Sequence, residues 1–448
     1  MLSELRQPWP RRRAGSVLAL ACVLVGAMVL PAAALTVEEI VSRKGIKAWL
    51  VEEHSVPLIA IRYAFVGGAV QDPAGKEGLA DVMSDLLTEG AGDMPAAAFK
   101  ERFLRLGSNL SAASGRDAIF GGLETLSARF EPSAELLRLM VTAPRFDRES
   151  VEQVRAQHLT DLAQAATVPT KIVVDRWYAE AFPGSVYARP ITGTSESVAR
   201  ITPDDLKAQH ARLFARDVLK IVIVGDIAKA AAAEAIDAIF GGLPEKAQVT
   251  PVSKVEPRTL EAPVVVTMDQ PLATATFGLP SLPTDHPDFA ALQVLNHVIG
   301  SGDFDSLLMD EVRVKRGLAY SIKTSLLNDS ISSLMLGGFA TKNENMGAAL
   351  SVVKEVLAKT VREGPTQFQF ENAKRYLTGS FLLDFDTNAK VAASLLTVWL
   401  RGDKPDYLLT RNQKINTVTL ADVRRVAAEV LKPDRLIVAI VGDPKLTN

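Results

Sequence analysis

LKIVIVGD, residues 219–226, returns as LIVAIVGD at residues 436–443. The offset is 217 residues. Each copy is a short apolar run that ends in Gly-Asp, the pattern of a strand followed by a turn. The segments leading into the two copies match at the same offset, ITPDDL at 201–206 and VTLADV at 418–423. In both, a threonine precedes an acidic, periodic run, which marks a helix start. Farther upstream each copy has another helical run, Ser150 to Leu162 and Gln367 to Leu377. Several elements in one order at nearly one offset indicate an internal duplication.

The duplication sets the domain plan. Four prolines lie among polar and charged residues between Pro244 and Pro263, the composition of an exposed linker. We therefore divide the chain into a leader (1–34), a first half (35–243), a linker (244–258) and a second half (259–448). Residues 45–52 and 56–65 have the pattern of antiparallel strands, helical runs follow, and strand signals return around Ile119 to Leu126. Strands and long amphipathic helices alternate without the regular rhythm of a doubly wound sheet. The expected class is α+β, with two homologous α/β-sandwich halves, each a mostly antiparallel sheet covered by helices.

Composition narrows the function. The 448-residue chain is 48% hydrophobic and 23% charged, with a formal net charge of −2. These values suit a folded soluble protein. No long Lys/Arg run occurs in the body of the chain, so a nucleic-acid partner is not indicated. The leader has Arg11, Arg12 and Arg13, an apolar run from Ala14 to Leu30, and Pro31-Ala32-Ala33-Ala34 as a small-residue cleavage site. This is the pattern of a secretory signal peptide cleaved after Ala34 rather than of a membrane anchor. The only cysteine, Cys22, lies inside the apolar run and is poorly placed for a lipoprotein signal. Cleavage leaves 46 basic and 51 acidic residues, net −5, and no thiol. The expectation is a soluble, mildly acidic, exported protein of a Gram-negative periplasm.

Two motifs carry the chemistry. The first is GLADVMSDLLTEG, residues 78–90, a short amphipathic helix bounded by glycines. The simplest reading places Asp81, Ser84 and Asp85 on a polar face opposite Leu79, Val82, Met83, Leu86 and Leu87. The second is RVKRGLAY, Arg313 to Tyr320, preceded by Gly300-Ser301-Gly302. Together with the two α+β halves, these stretches resemble the pitrilysin/insulinase family of zinc peptidases, which includes the subunits of mitochondrial processing peptidase. The resemblance spans essentially all of the chain after the leader.

In that family the first helix carries H-x-x-E-H, whose histidines bind zinc while the glutamate acts as base on the metal-bound water. The matching positions here are Asp81, Ser84 and Asp85. Two carboxylates at i, i+4 are a poor site for zinc, and serine takes no proton near neutral pH. The five histidines, His54, His158, His210, His286 and His297, form no helical pair. His158 lies on the helix where the family places its third ligand, with Asp161 three residues on, and we read those two as an ordinary solvated pair.

The second motif matches the family's R-x-x-x-x-x-x-Y segment. The resemblance implies that Arg313 binds substrate backbone and that Tyr320 steadies the charge developing on the scissile carbonyl. Read without the resemblance, Tyr320 would open a strand and pack, and Arg313 would be a surface residue. Arg316 and Lys315 suit a helix C-terminus, with Gly317 after it. Asp303 and Asp305 stand where the family favours small residues, and Leu308 where it favours an arginine.

The implied function is that of a non-catalytic subunit of a zinc peptidase heterodimer. It would form half of a clamshell chamber, bind unfolded peptides, and present Arg313 and Tyr320 to a partner that holds the zinc. This chain would bind no metal of its own. The alternative is a stand-alone pseudo-peptidase that binds peptides, as a homodimer or as a chaperone. An active peptidase with an unusual metal site is a third reading.

Overall fold

The repeat motif shows first how local rules build the two halves. Thr202 and Thr419 each cap a helix: their hydroxyls accept from the Asp205 and Asp422 backbone N–H, and those carboxylates accept from the capping threonine's own N–H. This reciprocal box satisfies N–H groups that a helix start leaves without partners. The Gly-Asp ending has an equally local cause. Gly225 and Gly442 sit at φ 141° and 143°. A Cβ on Gly225 would lie 2.1 Å from the Leu58 carbonyl oxygen, so only glycine lets this strand leave the sheet here.

The computed structural model describes residues 36–381 and 385–446; the leader, its cleavage site and Cys22 lie outside the described residues. Strands β1 (Glu38–Val41), β2 (Lys47–Glu52), β3 (Leu58–Val66), β4 (Asn109–Ser114), β5 (Ala118–Leu126) and β6 (Leu219–Gly225) form one sheet. Its order is β1-β2-β6-β3-β5-β4. Strands β7 (Val264–Thr267), β8 (Leu272–Pro280), β9 (Ile322–Asn328), β10 (Ser333–Lys342) and β11 (Ile437–Gly442) form the other, in the order β9-β10-β8-β11-β7. Apart from β1, the two sheets have the same strand order. In each, the GD strand runs parallel to one neighbour and antiparallel to the other. The 45–52 and 56–65 segments are antiparallel in direction, as expected, but they do not pair: β6, from 170 residues later, lies between them.

The helices are α1 (Leu79–Leu86), α2 (Ala96–Leu106), α3 (Phe130–Thr142), α4 (Arg148–Ala165), α5 (Pro169–Ala181), α6 (Ser195–Ala199), α7 (Pro203–Leu213) and α8 (Lys229–Phe240) in the first half. In the second they are α9 (Phe289–Asn296), α10 (Met346–Glu363), α11 (Gln367–Gly379), α12 (Asn388–Leu400), α13 (Tyr407–Thr417) and α14 (Leu420–Val430). Most of them cover one face of their own half's sheet, and each half has its own apolar core. Val37 onward forms one compact unit. Among the described residues no helix is long and apolar enough to cross a membrane.

One helix from each half crosses over. α5 packs on β8 and β11, where the fully buried Trp177 donates its indole N–H to the Ile437 carbonyl at 3.1 Å. α12 packs on β3 and β6, where Trp399 stacks on Trp49 with centroids 4.8 Å apart, and Asn388 donates to the Leu58 carbonyl. Each sheet thus has its second face buried by a helix of the other half. The hairpin turns add a polar tie: Ser330 donates its N–H and its hydroxyl to the two carboxylate oxygens of Asp117, at 2.9 and 2.8 Å. Truncating Trp177 to alanine removes one of the largest buried side chains together with its hydrogen bond. The expected cost is about 3–5 kcal/mol, read as a lower midpoint in chemical denaturation.

Candidate functional site

Helix α1 is anchored at its first turn. Gly78 has φ 90°, and a Cβ there would come within 2.7 Å of the Thr192 carbonyl oxygen. The buried Asp72 carboxylate accepts from the Gly78 and Ala80 N–H groups at 2.9 and 3.0 Å and closes the helix start. Burial pushes that carboxyl up to about 8, against the pull of the backbone donors. Leu79, Val82, Met83, Leu86 and Leu87 are buried in the first-half core, as the sequence pattern requires.

The opposite side of α1 is less uniform than expected. Asp85 is exposed and Asp81 half-buried, but Ser84 is 1% exposed and donates its hydroxyl to the Ala80 carbonyl of its own helix at 2.8 Å. It is therefore a buried serine satisfied by its backbone, not part of a solvated face. His158 also departs from the expectation. It is buried on α4 and does not pair with Asp161, whose carboxylate accepts from Gln157. His158 Nε2 lies 2.8 Å from Asp85 Oδ2, and its Nδ1 lies 3.7 Å from Asp81 Oδ2. Two residues of the degenerate motif thus meet a residue 73 positions beyond Asp85, across two packed helices.

Electrostatics bind this trio together. The hydrogen bond to Asp85 raises His158 above its usual 6.5 and outweighs burial; Asp81 adds to the shift. Burial pushes the Asp81 carboxyl up to about 6, although His158 pulls the other way. Both groups hold their protons more tightly folded than unfolded. Stability linked to them is full on the acid side and is lost as pH rises, for Asp81 from 3.8 through about 6 and for His158 from 6.5 upward. A His158→Gln variant is expected to be less stable than wild type by about 1 kcal/mol near pH 6, since the partner Asp85 is half-exposed. The gap should narrow toward about pH 9. Denaturation midpoints across that range measure it, and a gap that does not change with pH removes His158 as the titrating group.

These residues do not fit zinc. A zinc site needs three free donors converging on one point and an open fourth position. Here the imidazole is occupied by two carboxylates, and the serine at the base position is turned onto its own helix. Among the described residues no group of three or more His, Cys, Asp or Glu side chains is arranged to hold a metal. Asp85 and His158 border an open cleft of about 420 Å³, lined by residues of α1, α4 and the edge strand β4, including Ser111 and Ala112.

Arg313 and Tyr320 form a second site. The backbone around Gly300 and around Arg313 runs in wide π-helical turns, His297–Ser301 and Met309–Val314, a geometry frequent at functional positions. Arg313 projects between two rings, its guanidinium carbon 4.4 Å from the Tyr320 centroid and 4.7 Å from that of Phe304. Tyr320 is 81% exposed and Phe304 63%. Tyr320 therefore does not pack, and the strand begins two residues later at Ile322. Phe304 is a member of this site that the sequence reading missed. Its only signal was an aromatic residue inside a glycine-rich loop. Asp303, at φ 46°, pairs with Lys323 at 2.5 Å, and Leu308 is fully buried. Arg316 donates to the carbonyl and the carboxylate of Glu311, and Lys315 pairs with Asp310 and Glu311. Both basic residues thus serve the end of their own helical turn. Neither Arg313 nor Tyr320 lines the Asp85–His158 cleft.

Comparison with known proteins bears on the family. The family profile described as Insulinase (Peptidase family M16) matches residues 50–195, and the one described as Peptidase M16 inactive domain matches residues 200–377. A Helicobacter pylori protein named Non-peptidase homolog YmxG is 27% identical over 420 residues, which is 93% of this chain and 96% of that protein. A Bacillus subtilis protein named Uncharacterized zinc protease YmxG is 23% identical and covers 89% of this chain and 96% of its own. The crystal structure of a peptidase M16 inactive domain from Pseudomonas fluorescens is similar with a TM-score of 0.86 and 25% identity, over 92% of this chain and 99% of that one.

Proposed function

The chain belongs to the insulinase (M16) family of peptidases, and on that premise we propose that it is a non-catalytic member that acts on peptides only together with a zinc-bearing homologue. One observation carries the reading: where the family places two histidines and a glutamate, Asp81 and Asp85 are engaged by His158, and Ser84 is bonded to its own helix. Neither the paired carboxylates nor the self-bonded serine stands in for the family's two histidines and glutamate.

The peptide side of the reading rests on the edge strand β4. Among the described residues its outer backbone groups have no neighbouring strand, and it borders the cleft beside Asp85 and His158. An extended peptide would add there as a further strand, held by main-chain hydrogen bonds that read little sequence. Arg313 and Tyr320 would serve the partner's reaction centre, where a fixed guanidinium and a phenol meet an oxyanion. The exposure of Tyr320, and the absence of both residues from this chain's own cleft, support that assignment. Zinc would reside in the partner, and the leader would place the pair in the periplasm.

The test is an unfolded-peptide assay with the chain alone, with a homologue that has an intact H-x-x-E-H, and with the two mixed. The chain alone should be inactive and the mixture more active than the homologue. A homologue that is fully active alone and unchanged by this chain would sink the proposal. The second reading, a stand-alone peptide-binding homodimer, is favoured by the same edge strand and would appear as peptide binding without any partner.

A further inference from the structure

A recess of about 340 Å³ lies where the start of β2, the start of β6 and the end of α12 meet, away from both sites described above. Lys44, Lys47, Arg216 and Lys220 line it against only Asp217 and Glu245, and Trp399 forms part of its wall. β2 and β6 run parallel with Trp49 beside Val222, which brings Lys47 and Lys220, two residues earlier on each strand, next to each other. Like charges side by side on neighbouring strands repel. Lys47 is relieved by Glu39 at 3.0 Å. Lys220 has only the distant pull of Glu39: its ammonium faces the Trp399 ring at 5.0 Å and has no carboxylate at ion-pair distance among the described residues. Burial and then Lys47 lower its hold on its proton.

Arg216 adds a second unmet donor. Its terminal nitrogens reach the Lys44 carbonyl at 3.4 Å and the 81%-exposed Glu245 at 3.1 Å. Its Nε is buried with no partner among the described residues. Buried donors are normally satisfied, and this one leaves Arg216 under-used; the Nε is itself closed off, so the donors the recess offers to an acceptor are Lys220 and the terminal nitrogens of Arg216. Strand and helix hold these groups in place, and Trp399 is itself fixed by its stack on Trp49.

We propose that this recess binds a small oxyanion of phosphate or carboxylate type, held by Lys220 and Arg216 with support from Lys47. Glu245 is the internal competitor that occupies one nitrogen of Arg216 while the recess is empty. The chemistry is shared by free phosphate and by the terminal carboxylate of a peptide. Because α12 comes from the second half, a bound anion would also brace the two halves against each other.

Calorimetric titration of the whole folded chain at low salt tests the proposal, with three probes: inorganic phosphate, a short peptide acid, and the same peptide as its amide. Saturable binding of phosphate identifies a phosphate-type ligand, and binding of the acid but not the amide identifies a peptide terminus. Lys220→Met should weaken the binding at least about tenfold, and added salt should weaken it further. Glu245→Gln, at an exposed position that leaves the fold intact, should tighten it several-fold. Absence of saturable binding for both anions in the wild-type chain overturns the proposal, as does a folded Lys220→Met chain that binds like wild type.

Discussion

A chain carrying Asp81→His and Asp85→His together is expected to take up one zinc ion, while the wild-type chain takes up none. The positions are i, i+4 on α1, and both side chains already reach the same imidazole from the turns they occupy. Exchanging the carboxylates for imidazoles removes the partners that hold His158 in an ion pair. It leaves three nitrogen ligands around one point, with the cleft as the open fourth position. Three histidines and a water are a sufficient set for zinc at ligand distances of about 2.0–2.1 Å. We expect a dissociation constant of about micromolar or tighter, a binding free energy of roughly 8 kcal/mol. Metal analysis after dialysis measures it. Adding His158→Ala to the double variant should abolish the uptake, and either single variant should bind far more weakly. A double variant that keeps its fold but holds no more zinc than wild type would show that α1 and α4 do not form a ligand frame.

The second large effect concerns the mixed complex. If Tyr320 donates to an oxyanion in the partner's centre, Tyr320→Phe should lower kcat of the mixture by about 10²–10³-fold with little change in KM, because the donor acts in the transition state. Arg313→Ala should lower kcat/KM as strongly and also raise KM, since the guanidinium would hold substrate backbone in the ground state too. Phe304→Ala tests the other face of the sandwich. It removes one exposed cation–π contact, worth roughly 0.5–1 kcal/mol, and should cost only a few-fold by loosening Arg313. Assembly must be checked independently by size-exclusion chromatography. Mixtures that assemble normally and hydrolyse peptide at the wild-type rate with all three variants would remove Arg313 and Tyr320 from the reaction.

The two sites differ in how far they were legible beforehand. That Asp81, Ser84 and Asp85 lie on one short helix follows from periodicity, and the structure keeps all three on α1. Their burial did not follow. Periodicity puts Ser84 on a polar face, yet it is buried at the floor of the cleft, where its hydroxyl is satisfied by the Ala80 carbonyl. Sequence spacing pairs His158 with Asp161, its neighbour along the helix. Across the helix interface it finds Asp85, whose carboxylate lies 2.8 Å from Nε2 and does most to hold the imidazole's proton. Phe304 carried no periodic signal at all. Its role depends on a loop that folds back over Arg313.

The same division runs through the fold. The repeat, the capping threonines at 202 and 419, the Gly-Asp turns at 225–226 and 442–443 and the alternation of strand and helix are all readable from the chain. Each depends on backbone sterics and hydrogen bonds among residues a few positions apart. Strand order and the exchange of helices are not readable in this way. β6 separates β2 from β3, and α5 and α12 each leave their own half to cover the other's sheet. A sheet with two apolar faces must bury both, and the stripe that fits the second face lies on a helix hundreds of residues away, such as α12 against β3. Which apolar stripe meets which sheet is a competition among all buried surfaces at once, and no window of sequence contains both competitors.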